Sequence, residues 1–232
     1  PSKRAAIVPS ATSFRLGPWK ESFCRAGIMT TNFDAKAKTW DTPEKIERAQ
    51  AIAHLIRGKV RLTRDMRGFE YGCGTGLLSF CLHDQLGHIT MADNSPGMLA
   101  VAEEKIQAAG ATHMTHVQLD LMEDAAPETP FQLIYTMLTL HHIDDTDRIL
   151  EIFHSMLSPG GYLCIADLDK EDGSFHSGAF DGHHGFDQQQ LQAKLECLGF
   201  SDVESEICYS IDKEVAGGSR RSFPVFLMTC KK

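Results

Sequence analysis

The side chains that could carry chemistry cluster where short apolar segments end. The most distinctive group is the sequence EYGCGTG at 70–76, in which an acid precedes three glycines at alternate positions. Glycine permits positive φ and lets a ligand approach the backbone without meeting a Cβ. The N–H groups of such a turn and of a following helix can hold a polar or anionic group. The segment therefore predicts a site for a small polar ligand.

Two further acids follow the next apolar segments. Asp93 comes after residues 89–92, where a carboxylate can accept both hydroxyls of a ribose. Asp120 comes after residues 114–119, where it could bind the amine of an adenine. A single acid at such a position is more often a helix cap or a solvated loop residue. Three acids behind one glycine turn favour a nucleoside-bearing ligand.

The spacing of the glycines bears on which nucleoside-bearing ligand this is. The dinucleotide fingerprint is G-x-G-x-x-G/A, but here Leu77 occupies the position of the third glycine. The carboxylate of Glu70 is poorly placed for a diphosphate and suits a cationic or hydroxyl-bearing ligand. A nicotinamide-dependent oxidoreductase nevertheless stays an alternative at this point.

Several candidate bases follow the fourth and fifth predicted strands: His141, His142, Asp167, Asp169 and His176. A histidine near its ordinary pKa of about 6.5 can deprotonate a hydroxyl or ammonium group. The alternative for His141 and His142 is a packing or capping role. We take His141, His142 and His176 as the candidate catalytic residues.

The segment 170–186, KEDGSFHSGAFDGHHGF, is long for a loop in a compact domain, and such loops are usually functional or mobile. We expect a lid over an acceptor, with apolar walls from Phe175, Phe180 and Phe186. A metal site at His176, His183 and His184 is disfavoured, because the sequence has neither a pair of thiolates nor an H-E-x-x-H helix. We expect no metal.

The elements that must position these residues alternate between helical and strand-like patterns. Helices are predicted at 42–58, 77–86, 95–110, 145–157 and 187–198, and strands at 66–71, 89–92, 114–119, 131–138, 162–166, 203–211 and 223–230. Such alternation is typical of an α/β fold with a mostly parallel sheet. Ligands of these sheets bind beyond the carboxyl ends of the strands, which is where the residues above collect.

Composition excludes several classes of protein. Hydrophobic residues make up 42% of the 232 residues and charged residues 23%, an ordinary globular balance. No apolar run approaches the roughly 20 residues that a membrane span needs, and a net charge of -8 disfavours nucleic acid as a partner. The seven cysteines show no paired spacing, so we expect free thiols in a reducing, cytoplasmic compartment.

The first 28 residues carry five basic side chains and one acid. An organellar presequence is one interpretation of this composition. The favoured one is an extension of the core or a stretch upstream of an alternative start at Met29. We therefore expect an extension at 1–31 and one domain at 32–232.

Five segments in order resemble the class I S-adenosylmethionine-dependent methyltransferases, in particular the small-molecule type with a ubiquinone-biosynthesis-like core. They are FEYGCGTG (69–76), MADNSPGML (91–99), VQLDL (117–121), FQLIYTMLTLHHIDD (131–145) and LSPGGYLCIADLD (157–169). The leading NFDAKAKTWD (32–41) is similar to the segment that covers the cofactor in this family. The resemblance implies a Rossmann-like three-layer sandwich with a seven-stranded, mostly parallel sheet and an antiparallel last strand.

The resemblance also implies a cofactor, S-adenosyl-L-methionine, with S-adenosyl-L-homocysteine as its product. It assigns the methionine end to Glu70, Gly72, Cys73, Gly74 and Gly76, the ribose to Asp93, the adenine to Asn94, Met98, Asp120 and Leu121, the sulfonium to Met137, and the cover to Phe33 and Trp40. A small-molecule acceptor is expected, because the fourth strand does not end in the Asn/Asp-Pro-Pro-Tyr/Phe typical of nucleic-acid amino-methylating enzymes. A non-catalytic protein that binds this cofactor is the second alternative.

Overall fold

The structure is a computed structural model that describes residues 33–176 and 180–232. The predicted extension at 1–31 lies outside the described residues, as does the interpretation of the first 28 residues as a presequence. Within the described part of the chain, no helix combines the length and the apolar character that a membrane span requires.

Five helices and seven strands follow one another in the alternating order that the periodicity predicts. The helices are α1 (Pro43–Lys59), α2 (Leu77–Leu82), α3 (Pro96–Ala109), α4 (Thr146–Met156) and α5 (Gln188–Cys197). The strands are β1 (Arg67–Tyr71), β2 (His88–Asp93), β3 (Met114–Gln118), β4 (Phe131–Met137), β5 (Leu157–Leu168), β6 (Ser201–Glu214) and β7 (Arg220–Lys231). Short 3₁₀ turns lie at Ala37–Thr39 and Leu140–His142.

The seven strands form one sheet in the order β3-β2-β1-β4-β5-β7-β6. Neighbouring strands from β3 to β5 pair in parallel, and β7 runs antiparallel to both β5 and β6. The predicted fold class is thereby confirmed. The chain order reverses between β1 and β4, and the carboxyl ends of β1, β2, β4 and β5 meet at one edge of the sheet, where a ligand site is expected.

Apolar side chains cover both faces of the sheet and make the fold three layers thick. On one face, buried residues of α1, α2 and α3 such as Ile52, Leu78 and Leu99 pack against the sheet. On the other face, α4 and α5 contribute residues such as Phe153 and Leu191.

Local sequence signals account for most of the helix starts. The side chains of Ser95 and Asp187 accept hydrogen bonds from the N–H groups of Met98 and Gln190, at 3.2 and 3.0 Å, and so cap α3 and α5. Thr42 precedes α1, but its side chain makes no cap hydrogen bond. Pro43, at the first position of this helix, needs no such partner for its nitrogen.

The largest differences from the predicted element boundaries are at the end of α2 and at the start of β5. α2 ends at Leu82 instead of 86. β5 begins at Leu157, so the segment 158–161, predicted as a break, belongs to the strand. The reason is long-range pairing: Leu157 lies in register with Phe131, and Gly160 and Gly161 exchange backbone hydrogen bonds with Lys232.

Candidate functional site

The glycine turn at residues 72–76 joins β1 to α2 at the carboxyl edge. Its three glycines have φ values of 70°, 53° and 81°, in the left-handed region that a Cβ disfavours. A Cβ on Gly72 would overlap the side chain of Thr139. At Gly74 a Cβ would lie 3.6 Å from Trp40 Nε1 and 4.0 Å from Met98 Sδ. Gly74 therefore offers bare backbone between an indole and a thioether.

Three consecutive N–H groups of this turn bond to the end of β2. The N–H groups of Gly72 and Cys73 donate to the carbonyl oxygen of Ala92, at 2.8 and 3.0 Å. The N–H of Gly74 donates to Oδ2 of Asp93 at 2.7 Å. These donors are thus engaged within the protein and do not form a cradle for a diphosphate.

Asp93 is the half-buried acid of this edge. Its Oδ1 accepts the N–H of Ser95 at 2.9 Å, so both carboxylate oxygens are oriented by backbone donors. Burial raises the pKa of Asp93, and the bonds from Ser95 and Gly74 oppose that rise. Each oxygen keeps a second lone pair, which gives the oriented carboxylate capacity to accept ligand hydroxyls. Asn94, next along the chain, is exposed, and Met98 is buried.

Glu70 lies fully buried beneath the turn. Its Oε2 accepts hydrogen bonds from the N–H of Ser79, at 3.1 Å, and from the Ser79 hydroxyl, whose oxygen is 2.7 Å from that of Tyr135. Its Oε1 has no partner among the described residues. Burial raises the pKa of Glu70 to about 8. This acid anchors the start of α2 and leaves one buried oxygen unsatisfied.

Asp120 and Leu121 follow β3, and both are tied to Tyr71. The Tyr71 hydroxyl lies 3.3 Å from Asp120 Oδ1 and accepts the N–H of Leu121 at 3.1 Å. Asp120 is half-buried, whereas the Leu121 side chain belongs to the apolar core. The N–H of Leu121 is therefore already engaged. Sequence reasoning missed Tyr71, which was visible as the last residue of β1.

Residues 33–41, here called the strap, cross the glycine turn from outside. Oδ1 of Asp34 accepts the Ser95 hydroxyl at 2.5 Å and the N–H of Gly97 at 2.8 Å, at the first turn of α3. At the other end, Asp41 accepts a hydrogen bond from the Thr75 hydroxyl and pairs with Lys105 at 2.9 Å. Sequence reasoning missed these acids, although both lie in the segment that carried the resemblance.

The strap also carries two aromatic rings. The rings of Phe33 and Trp40 lie 5.6 Å apart. Trp40 borders Gly74, while Phe33 lies 5.8 Å from the ring of His142. The strap therefore spans from the glycine turn to the histidines that follow β4.

A histidine and an aspartate meet where β4 and β5 end. Nδ1 of His141 is 2.6 Å from Oδ1 of Asp167, and both side chains are almost completely buried. The Asp167 carboxylate also accepts the N–H of Leu168 at 2.7 Å, which fixes its orientation. With Nδ1 protonated toward the carboxylate, the lone pair of His141 is on Nε2. This arrangement is that of an oriented general base.

The other two candidate catalytic histidines pack against this pair. Ring centroids lie 4.1 Å apart for His141 and His142, 5.3 Å for His141 and His176, and 5.6 Å for His142 and His176. Burial and the neighbouring imidazoles lower the pKa of His142 to about 3 and that of His176 to about 4. Both are neutral near pH 7, so they can line a pocket without adding charge.

The predicted lid divides its aromatic residues between two places. Phe180 stacks on His176 at 3.6 Å, and the Phe175 ring lies 4.9 Å from the same imidazole. Phe186 packs instead against the apolar core and pairs with Asp169, so it lies away from the three histidines. Residues 177–179 of this segment lie outside the described residues.

Two further features complete the edge. Met137 is half-buried at the end of β4 and packs against the cluster that contains α2 and α3. Leu138, the next residue, has a φ of 52°, which is unusual for a side chain with a Cβ and marks a sharp turn toward Thr139. In the described part of the chain, no group of three or more His, Cys, Asp or Glu side chains could hold a metal ion.

The sequence that forms this edge is similar to known protein sequences. A family described as a methyltransferase domain matches residues 69–161. A ubiquinone biosynthesis O-methyltransferase of Xanthomonas euvesicatoria is 31% identical over 149 residues, which are 62% of this chain and 62% of that protein. The chain spans between about a quarter and about half of the first curated relatives that it matches.

Solved structures share the fold. A SAM-dependent methyltransferase from Aquifex aeolicus has a TM-score of 0.61 at 20% identity, covering 84% of this chain and 97% of its own. The DhpI–SAH complex has a TM-score of 0.67 at 20% identity, covering 88% of this chain and 94% of its own. At 20% identity, this similarity shows a shared fold.

Proposed function

We propose that this chain is a class I S-adenosylmethionine-dependent methyltransferase, which transfers a methyl group from S-adenosylmethionine to a small-molecule acceptor. One observation supports this cofactor in particular. The N–H groups of Gly72, Cys73 and Gly74 already donate hydrogen bonds to residues at the end of β2. A dinucleotide's diphosphate would find these donors occupied. A nicotinamide-dependent oxidoreductase is therefore disfavoured.

The residues of the edge fit the proposed cofactor. Gly74 supplies backbone without a Cβ, Asp93 is an oriented carboxylate for the ribose hydroxyls, and Glu70 has an unsatisfied buried oxygen near the methionine end. A cationic ligand group there would favour the ionised form of Glu70. The remaining proposed contacts are Gly72, Cys73, Gly76 and Met137 at the methionine side, and Asn94, Met98, Asp120 and Leu121 at the adenine side.

S-adenosylmethionine, when bound, supplies an electrophilic methyl group on a sulfonium. The chain's task is then to align the acceptor, exclude water and remove a proton. We assign proton removal to Nε2 of His141, with Asp167 holding the imidazole in place at 2.6 Å. Phe33 and Phe180, whose rings lie 5.8 and 5.4 Å from that of His142, shield this pocket from water.

The nature of the acceptor is supported by the neutrality of the pocket. His142 and His176 carry no charge near pH 7, and Asp167 is committed to His141. A hydroxyl acceptor suits this setting, and the Xanthomonas relative is named for O-methylation. We place the protein in the cytoplasm, a proposal supported by cysteines that are free throughout the described residues.

Calorimetry tests the cofactor, with S-adenosylhomocysteine and NADH titrated separately into the full chain. We expect the first to bind and the second not to bind, and the reverse result would refute the proposal. Catalysis is tested with a methyl-labelled donor and a metabolite extract. Tight binding of S-adenosylhomocysteine without any labelled product would instead identify a non-catalytic binding protein.

A further inference from the structure

A cavity of about 560 Å³ lies between the first part of the lid and the hairpin of β6 and β7. This volume is in the range of small-molecule pockets. Phe175 and His176 line it, and His176 also belongs to the histidine group at the ends of β4 and β5. Through His176, the cavity adjoins the histidine group on the proposed acceptor side of the site. Its other wall comes from residues 213–216, 219 and 221.

Two cations on that wall hold the lid. Arg221 Nη1 lies 2.9 and 2.6 Å from the two oxygens of Asp172 and 2.6 Å from the Ser174 hydroxyl. Lys213 Nζ donates to the carbonyl oxygen of Phe175 at 2.5 Å and lies 4.6 Å from the centroid of its ring. These contacts place Phe175, and with it His176, next to His141.

Arg221 forms an ion pair with Asp172, whereas Lys213 has no such carboxylate partner among the described residues. Lys213 is half-buried. The lining holds one acid, Glu214, but neighbouring residues of a strand point to opposite faces. Glu214 is exposed, and its Oε1 lies near the hairpin turn, 3.8 Å from the Cβ position of Gly218. The charge of Lys213 is thus available to a ligand.

We propose that this cavity binds an anionic group of the methyl acceptor, a carboxylate or a phosphate, with Lys213 as its principal cation and Arg221 beside it. The inference rests on the proposed function and narrows its substrate class. A neutral reacting end lies at His141 and an anionic end lies at Lys213. A half-buried ammonium favours such a ligand because the attraction between opposite charges is stronger where the effective dielectric constant is lower than that of bulk water.

The test uses the full chain saturated with S-adenosylhomocysteine, whose binding is measured first. Calorimetry then compares 4-hydroxybenzoate with uncharged 4-hydroxybenzamide, and phenyl phosphate with phenol. We expect at least one anion to bind about tenfold or more tightly than its neutral counterpart. The preferred anion distinguishes the carboxylate from the phosphate. Lys213→Met should reduce the preference to about twofold.

Two variants control for folding and for general charge. Lys213→Arg should keep the preference for the anion, and Lys194→Met removes a lysine outside the cavity and should leave it unchanged. Equal binding of anions and neutral counterparts, no binding of either anion at millimolar concentration, or an unchanged preference in Lys213→Met would each overturn the inference. Failure of S-adenosylhomocysteine itself to bind would instead refute the proposed function.

Discussion

Replacement of Asp93 by asparagine tests the cofactor position most directly. The substitution keeps the size of the side chain and the Oδ1 acceptor for Ser95, but it places an amide in the position of Oδ2, which accepts the N–H of Gly74 at 2.7 Å. A ligand hydroxyl bonded to that oxygen loses a charged acceptor. Hydrogen bonds to charged groups contribute about 1.5–3 kcal/mol. We therefore expect the Kd of S-adenosylhomocysteine to rise roughly 10- to 150-fold.

The assay is isothermal calorimetry on the wild type, Asp93→Asn and a surface control. Asp147→Asn serves as that control. Asp147 forms an ion pair with Lys194 and is distant in sequence from the glycine turn, so its replacement should leave the Kd unchanged. Thermal unfolding checks that each variant is folded. A Kd for Asp93→Asn within twofold of the wild type would refute the assignment of Asp93 to the ribose.

Three further predictions address other parts of the site. Burial holds the pKa of Glu70 near 8, against 4.5 as its ordinary value, so the folded protein retains a proton that the unfolded chain releases. As the pH rises between these two values, the free energy of unfolding of the wild type should therefore fall by about 1.4 kcal/mol per pH unit relative to that of Glu70→Gln. Urea unfolding of both proteins across this pH range measures the difference. Asp167→Asn should lower kcat by about 10²- to 10⁴-fold through His141 at unchanged S-adenosylhomocysteine affinity, as followed with labelled donor. Asp41→Asn weakens the pair with Lys105 and should speed dissociation of S-adenosylhomocysteine about two- to fivefold in stopped-flow fluorescence.

Each of these predictions has an outcome that contradicts it. Parallel stability profiles for the wild type and Glu70→Gln would show that this carboxyl group does not titrate as inferred. A normal kcat in Asp167→Asn would remove His141 from the proposed proton transfer. An unchanged dissociation rate in Asp41→Asn would mean that the strap is not the barrier to ligand release.

Local signals were sufficient for much of the architecture. Ser95 and Asp187 cap their helices through contacts three residues away, and such contacts are readable from spacing alone. The glycines at 72, 74 and 76 require positive φ, and their pattern after a strand predicted the turn. The start of β5 was not predictable in this way, because it depends on the distant Lys232 and on the register with β4.

The same distinction holds for the site. His141 and Asp167 were each candidates on the sequence, but their pairing depends on the register that aligns Met137 with Ala166. Asp41 and Lys105 are 64 residues apart, and nothing in their local pattern connects them. Phe186 looked equivalent to Phe175 in the lid, yet its bridge to Asp169 draws it toward the core. These differences arise from tertiary contacts.

The contact between Gly72 and Thr139 links two parts of the molecule that the chain keeps far apart. Thr139 donates its hydroxyl to the carbonyl oxygen of Gly72 at 3.2 Å, and its side chain fills the volume that a Cβ would need. The glycine turn after β1 and the segment after β4 that carries the histidines are therefore in direct, close-packed contact. A shift of either segment displaces the other, so changes in sequence at these two positions must compensate each other during divergence.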